Sequence, residues 1–182
     1  IREIVDACSS MSWSRTGALI VFERKNNLTD IVTASTVVDA QVSSQLVRNI
    51  FFKNSPLHDG AMIIRGNRLM YAGCVLPLSE NEALSKDLGT RHRAGIGITE
   101  VSDAVSVMVS EETGAVSFAE RGAIRRGLSP EALEKTLEEA LTAQEEHSEK
   151  TVNQIRRGLA NVSPRRVFRR AIENTNRKKG GK

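Results

Sequence analysis

Two uninterrupted apolar runs do most to limit what this chain can fold into. Thr16 to Phe22 reads Thr-Gly-Ala-Leu-Ile-Val-Phe, and Ala104 to Val109 reads Ala-Val-Ser-Val-Met-Val. A strand with one face in water alternates apolar and polar residues, whereas a run without alternation belongs to a strand covered on both faces. Both runs are far too short to cross a bilayer as helices. Helices must therefore cover a sheet from two sides. Ile4 to Met11 reads as one, with Ile4, Val5 and Cys8 on a common face. Val38 to Phe52 reads as a second, its stripe made by Val42, Leu46, Val47, Ile50 and Phe51. Ser129-Pro130-Glu131 opens a third with an N-cap serine, proline at the first helical position and an acid in the first turn. Leu133, Leu137, Ala140 and Leu141 give it a packing face.

Shorter strands complete the sheet. Ala61 to Ile64 is apolar, Gly66-Asn67 suits a two-residue hairpin turn, and Leu69 to Leu76 returns until Pro77. Thr113-Gly114 turns the chain again, sending Ala115 to Glu120 back antiparallel. Strands alternating with helices, plus two hairpins, predict an α/β fold: a mixed β-sheet flanked by helices on both faces.

The charge of the chain is unevenly spread. Its net charge is +4, yet Arg156 to Lys182 carries Arg156, Arg157, Arg165, Arg166, Arg169, Arg170, Arg177, Lys178, Lys179 and Lys182 against Glu173 alone, leaving a slightly acidic body. A length of 182 residues fits one domain with an extension. We place the domain at residues 1–145 and a basic extension at 146–182, helical at first and disordered over Asn174 to Lys182. Cys8 and Cys74 form no CxxC pair, the usage of a reducing compartment, and neither reads as a nucleophile or a metal ligand.

Three stretches carry candidate chemistry. In Leu88 to Glu100, Gly89 allows a sharp turn, Thr90 suits an N-cap, and Arg91, His92 and Arg93 fall in the first helical turn. Basic residues there oppose the helix macrodipole, so stability alone favours acids. A bound polyanion reverses that balance, because helix N-termini and guanidinium forks both take phosphate; a solvated basic cluster is the plainer reading. In Ser55 to Ala61, Asp59-Gly60 is an ordinary turn signal, but it stands at a strand mouth. Asp59 can accept a hydroxyl proton or hold a cation there, while His58 reads as a metal ligand, a phosphate contact or a loop histidine. In Val109 to Gly114, Ser110 reads as a phosphate contact and Glu111 or Glu112 as neighbours of a metal or a base amine, or else all three are solvated hairpin residues. Cationic groups, one aspartate and separate glutamates form the inventory of phosphoryl or nucleotidyl transfer. Neither a Walker A nor a Rossmann fingerprint is present, and Gly95 and Gly97 fit neither pattern.

Leu57-His58-Asp59-Gly60-Ala61 and Gly89-Thr90-Arg91-His92-Arg93-Ala94 resemble the Asp-Gly-Ala and Arg-His-Arg signatures of diadenylate cyclases. Ser110-Glu111-Glu112-Thr113-Gly114 and Leu76-Pro77-Leu78-Ser79 are similar to further segments of that family, and the likeness runs over residues 3–145. It is strongest to the membrane-associated cyclase, whose cytosolic catalytic domain follows N-terminal membrane helices. The resemblance implies a metal-dependent enzyme that condenses two ATP into cyclic di-AMP with release of two pyrophosphates, at a site between two face-to-face protomers. It assigns proton abstraction from the ribose 3′-hydroxyl to Asp59, with Arg91 and His92 also catalytic. It assigns ATP binding to Gly60, Ala61, Leu76, Gly89, Thr90, Arg91, His92, Arg93, Ser110 and Glu111. His58 and Glu112 are its candidates for holding Mg²⁺ or Mn²⁺. Related membrane-type enzymes often have a tyrosine near Val75, where this chain offers only an aliphatic surface against adenine.

Other functions leave different marks. A catalytically silent nucleotide-binding sensory module is expected to have lost Asp59 or the Arg-His-Arg cluster, and both are present. Nucleic-acid binding through the basic tail is disfavoured, since Phe168 is its one aromatic for base stacking. Attraction of that tail to anionic lipid headgroups is the sharper alternative to a plain basic helix.

Overall fold

A computed structural model describes residues 1–142 except 33 and 86. The chain divides into Ile1–Leu141 and Thr142–Lys182, and only the first unit is treated below. The expected basic helix and disordered end of 146–182 lie outside the described residues.

The strands are β1 (Ala18–Glu23), β2 (Thr36–Gln41), β3 (Ala61–Arg65), β4 (Arg68–Cys74), β5 (Val105–Val109), β6 (Val116–Glu120) and β7 (Ala123–Arg126). Among the described residues they form one sheet in the order β2-β4-β3-β1-β5-β6-β7. β1 runs parallel to β3 and antiparallel to β5, which makes the sheet mixed. The helices are α1 (Arg2–Trp13), α2 (Ser44–Ile50), α3 (Thr90–Val101) and α4 (residues 130–142).

The two apolar runs lie side by side at the middle of the sheet and divide their side chains between two cores. Ala18, Ile20 and Phe22 of β1 join Val105, Val107 and Val109 of β5 in one core, closed by Ile4, Cys8 and Met11 of α1, Val47 and Ile50 of α2, and Leu133 and Leu137 of α4. Leu19 and Val21 face the other way with Ala61, Ile63 and Met108, beneath Ala94, Ile96 and Ile98 of α3. A period of two on a strand buried on both faces produces this partition. Ser106 of β5 is fully buried on the α3 side and donates to the Gly95 carbonyl at 2.8 Å, which ties helix to sheet.

The helix expected over Val38 to Phe52 is corrected. Residues 36–41 are the edge strand β2, and α2 occupies only Ser44–Ile50, capped by Ser43 Oγ accepting from the Leu46 amide at 3.3 Å. The apolar stripe is real, but it starts after that cap. β2 is largely exposed and kinked at Asp39, whose φ is 45°; Val38 and Ala40 alternate with exposed neighbours but are only half-buried, so no apolar face marks it as a strand. β7 is an additional strand. It follows a two-residue hairpin in which Arg121 and Gly122 both have positive φ, the geometry of the tight turns that fit strand twist. The Gly66-Asn67 hairpin forms as expected, with Arg65 opposite Arg68.

Candidate active site

Register brings the informative segments to one end of the sheet. Ala18 at the start of β1 faces Val109 at the end of β5, and Ile20 pairs with Met62 near the start of β3. The Asp59-Gly60 turn, Gly17 and Ser110 therefore meet at the same edge. Cys74 pairs with Ala61, so the exit of β4 arrives there too. Arg126 follows from the other side, opposite Ser117. The first turn of α3 covers these ends, and a cleft of about 620 Å³ opens between them.

Of the sequence-predicted residues, Asp59, Gly60, Ala61, Leu76, Gly89, Thr90, Arg91, His92, Ser110, Glu111 and Glu112 line the cleft. Arg93 and His58 are not on its wall. Arg93 contributes its carbonyl instead, which accepts the Ser79 amide at 3.0 Å. Nδ1 of His58 lies 2.6 Å from the Ser55 carbonyl oxygen. If that nitrogen carries the proton, Nε2 is left as a bare acceptor, the arrangement found when an imidazole ligates a metal. The helix cap is also corrected. Gly89 is the N-cap, Thr90 is the first helical residue, and no side chain caps the turn.

Asp59 owes its place to its neighbour. Gly60 has a φ of 125°, and a Cβ on it would stand 2.7 Å from the Gly73 carbonyl carbon and 2.9 Å from the Cys74 amide nitrogen. The turn can therefore press against β4 only with glycine at this position. Asp59 is exposed at the cleft, and among the described residues no hydrogen bond holds its carboxylate.

Arg91 is held against the sheet edge. Its Nη1 donates to Glu111 Oε2 at 2.9 Å, its Nη2 to the His58 carbonyl at 3.4 Å, and its Nε is buried with no partner among the described residues. Gly17 makes room for it, because a Cβ there would lie 2.8 Å from Arg91 Nη1 and 2.9 Å from Glu111 Oε2. Ser110 Oγ accepts the Thr113 amide at 3.2 Å within a turn closed by the Gly114 amide on the Ser110 carbonyl at 2.9 Å.

His92 also reaches the cleft wall, but on a more buried face of α3 than Arg91, since successive helix residues are turned by about 100°. It is buried, and burial holds its pKa below the ordinary imidazole value; Arg126 lowers it further, while Asp87 and Glu112 raise it. The ring is thus biased towards the neutral form, and the charge of the Arg-His-Arg triplet rests on its arginines. A depressed folded-state pKa means that the unfolded chain takes up the proton first on acidification. His92 therefore withdraws stability as pH falls from about 6.5 through the lower folded value. Thermal unfolding of the wild type is expected to drop more steeply across that window than that of His92→Gln; parallel curves would remove His92 from this role.

Val75, expected from sequence as an aliphatic surface, is on the wall, and residues not expected from sequence complete the cleft: Leu19, Cys74, Leu78, Ala94, Val109 and Thr113, with the ion pair of Arg126 and Asp87. Cys74 is buried, and desolvation pushes its thiol up to about 12, so it supplies apolar surface. Val75 and Leu78 are exposed aliphatics on the wall. Leucine, valine and cysteine on one side and arginines with a helix start on the other suit an amphipathic ligand with an apolar head and an anionic tail.

Comparison with known proteins identifies the family. Residues 5–124 match the family model described as DisA bacterial checkpoint controller nucleotide-binding. The chain is 48% identical over 138 residues to the cyclic di-AMP synthase CdaA of Bacillus subtilis, a match covering 76% of this chain and 50% of that protein. It is 46% identical over 137 residues to a diadenylate cyclase of Listeria monocytogenes, covering 75% of this chain and 50% of the relative. The chain thus spans about half the length of these relatives. The crystal structure of a double mutant of DacA from Staphylococcus aureus superimposes with a TM-score of 0.74 at 46% identity, covering 76% of this chain and 92% of that one. A hypothetical membrane spanning protein from Bacillus cereus gives a TM-score of 0.68 at 39% identity, covering 70% and 62%. With its fold, its motifs and these matches in agreement, the chain belongs to the DAC family of nucleotide-binding domains, the family of the diadenylate cyclases.

Proposed function

We propose that this domain condenses two ATP molecules into cyclic di-AMP. The observation that carries the reading is the placing of Asp59 and Arg91 on the wall of one cleft, with an apolar surface beside the carboxylate and a helix N-terminus beside the guanidinium. Leu76, Val75 and Cys74 take the nucleoside. Thr90, Arg91 and Ser110 take phosphate oxygens through hydroxyl, guanidinium and backbone donors. Glu111 must leave Arg91 for the anion to enter, and its exposed position makes that exchange inexpensive.

Asp59 accepts the proton of the ribose 3′-hydroxyl. The 3′-oxygen forms a bond to the α-phosphorus of the second ATP, and the bond from that phosphorus to the bridging oxygen breaks with departure of pyrophosphate. One protomer has a single such carboxylate, yet two bonds form. A second copy meeting the first face to face supplies the other Asp59, as an isologous interface requires.

A divalent cation such as Mg²⁺ or Mn²⁺ fits the donors present. Asp59, Glu111 and Glu112 offer hard oxygens on the cleft wall. Among the described residues no three ligating side chains are gathered, which suits an ion held by one or two protein groups and the substrate's phosphates. Glu112 on the wall and His58, which stands behind it beside Asp59, are the residues that would hold it, and it would supply neutralisation of charge developing on the phosphate oxygens. Among the described residues no helix is long and apolar enough to cross a membrane. Kinship with CdaA and with the Bacillus cereus membrane spanning protein supports a domain that works attached to a membrane-anchored chain.

Incubation with ATP and Mn²⁺ or Mg²⁺, followed by chromatography, is expected to yield cyclic di-AMP and pyrophosphate in a ratio of about one to two. The rate is expected to rise faster than linearly with protein concentration where dimers dissociate. Tight ATP binding without product would leave a silent nucleotide-binding module, and a strictly linear rate would dispense with the partner.

A further inference from the structure

The family signatures account for one side of the α3 N-terminus, where Arg91 and Ser110 lie. The other side carries a second cation. Arg126, the last residue of β7, lines the cleft and donates from Nη1 to Asp87 Oδ2 at 2.9 Å. Asp87 stands in the loop just before α3 and also lines the cleft, and its Oδ1 accepts from Ser85 Oγ. Arg126 and Asp87 are 42% and 57% exposed, so the pair adds little to stability. A guanidinium on a cleft wall, neutralised by a single exposed carboxylate, is a site from which a polyphosphate with several charges can displace the counter-ion.

Sheet order gives this cation a position along the ligand. Reading across the edge, Asp59 belongs to β3, Gly17 to β1, Ser110 to β5 and Arg126 to β7. Four strand spacings separate the first from the last, about 19 Å between strand axes. The apolar surface of Cys74, Val75 and Leu76 lies at the end of β4, on the other side of Asp59, so a nucleoside triphosphate with its base there directs its phosphates past Arg91 towards β7.

We propose that Arg126 is a further phosphate-binding residue of this cleft, gripping the β- and γ-phosphates that leave as pyrophosphate, and that Asp87 is the counter-ion it exchanges for them. The inference rests on the nucleotide reading above and adds a residue that the motifs do not include. Arg126 then holds charge that grows on the leaving group as the α–β bridging bond breaks, which is where fixed donors act on such a reaction.

The test uses 3′-deoxy-ATP, which lacks the attacking hydroxyl and so binds without turnover, together with AMP and inorganic pyrophosphate, each titrated calorimetrically in Mg²⁺. Arg126→Ala is expected to weaken 3′-deoxy-ATP and pyrophosphate by about tenfold, the worth of one hydrogen bond to a charged group, with AMP affinity retained. Asp87→Asn frees the arginine and is expected to bind the triphosphate at least as tightly as wild type. Unchanged triphosphate affinity in Arg126→Ala would overturn the proposal, as would an equal loss for AMP. A loss in Asp87→Asn matching that in Arg126→Ala would also overturn it, by making the pair a brace for the loop. A wild-type protein that binds neither 3′-deoxy-ATP nor AMP would instead bring down the nucleotide reading itself.

Discussion

Replacing Asp59 with asparagine is expected to cut cyclic di-AMP formation by at least about a hundredfold, the lower end of what a positioned general base contributes. ATP affinity is expected to change by no more than about twofold, because the side chain keeps its shape and its power to hydrogen-bond the ribose. The carboxamide lacks a basic lone pair for the 3′-hydroxyl proton, so nucleotide binds and does not react. The fold gives no reason for collateral damage. Asp59 is exposed at the cleft mouth, no hydrogen bond holds its carboxylate among the described residues, and the turn depends on Gly60 rather than on this side chain. Thermal unfolding should coincide with wild type. Retained turnover would take proton abstraction away from Asp59. Recovery of the variant by raised Mn²⁺ would move the residue to cation binding instead, since added metal does not replace a missing base.

Much of the sheet was legible because its central strands are buried twice. Ala18 to Phe22 and Val105 to Val109 show no alternation, and they pair with each other at the middle of the sheet. The tight hairpin at Gly66-Asn67 was equally plain, since glycine at a positive φ is a local requirement. Legibility failed where tertiary context outweighs local pattern. β2 reads as helix because Val38, Val42 and Leu46 continue a helical stripe, yet an edge strand needs only β4 beside it and has little apolar pattern of its own. β7 escaped because Arg121-Gly122 is a weaker turn signal than Asn-Gly, and Arg126 and its place in the cleft escaped with it. The motif residues were found by their kinds and spacing, but spacing does not say which face of α3 each side chain takes. Arg91 therefore enters the cleft, His92 is buried beside it with its pKa lowered, and Arg93 stays off the wall.

The two glycines of Arg-Ala-Gly-Ile-Gly show what such a helix demands. They fit no phosphate-binding loop, and the structure gives them a packing role. A Cβ on Gly97 would stand 2.7 Å from the Ser79 amide nitrogen and 2.8 Å from the Leu78 carbonyl carbon, closer than carbon tolerates, with the Pro77 carbonyl oxygen nearer still. At Gly95 the obstacles are Met108 and Leu19 side chains, which can shift, whereas at Gly97 they are backbone. Helix propensity alone makes Gly97→Ala stabilising by about 1 kcal/mol. Overpacking against backbone works the other way by more, so a net loss of about 2 kcal/mol is expected. Spread over a domain of this size, that lowers the unfolding midpoint by about 4–8 °C. The displaced segment includes Leu78 on the cleft wall and Pro77 next to Leu76, so nucleoside affinity should fall even where the protein remains folded. Gly89→Ala is the control for overpacking in the unfolding measurement alone, because nothing lies within 4 Å of a Cβ there and its φ of −70° is open to any residue. A Gly97→Ala protein as stable as wild type would mean that α3 can move away from residues 77–79 at no cost. The contact with residues 77–79 would then not fix α3, and the position of Arg91 would rest on the Ser106 bond to the Gly95 carbonyl and on the packing of Ala94, Ile96 and Ile98.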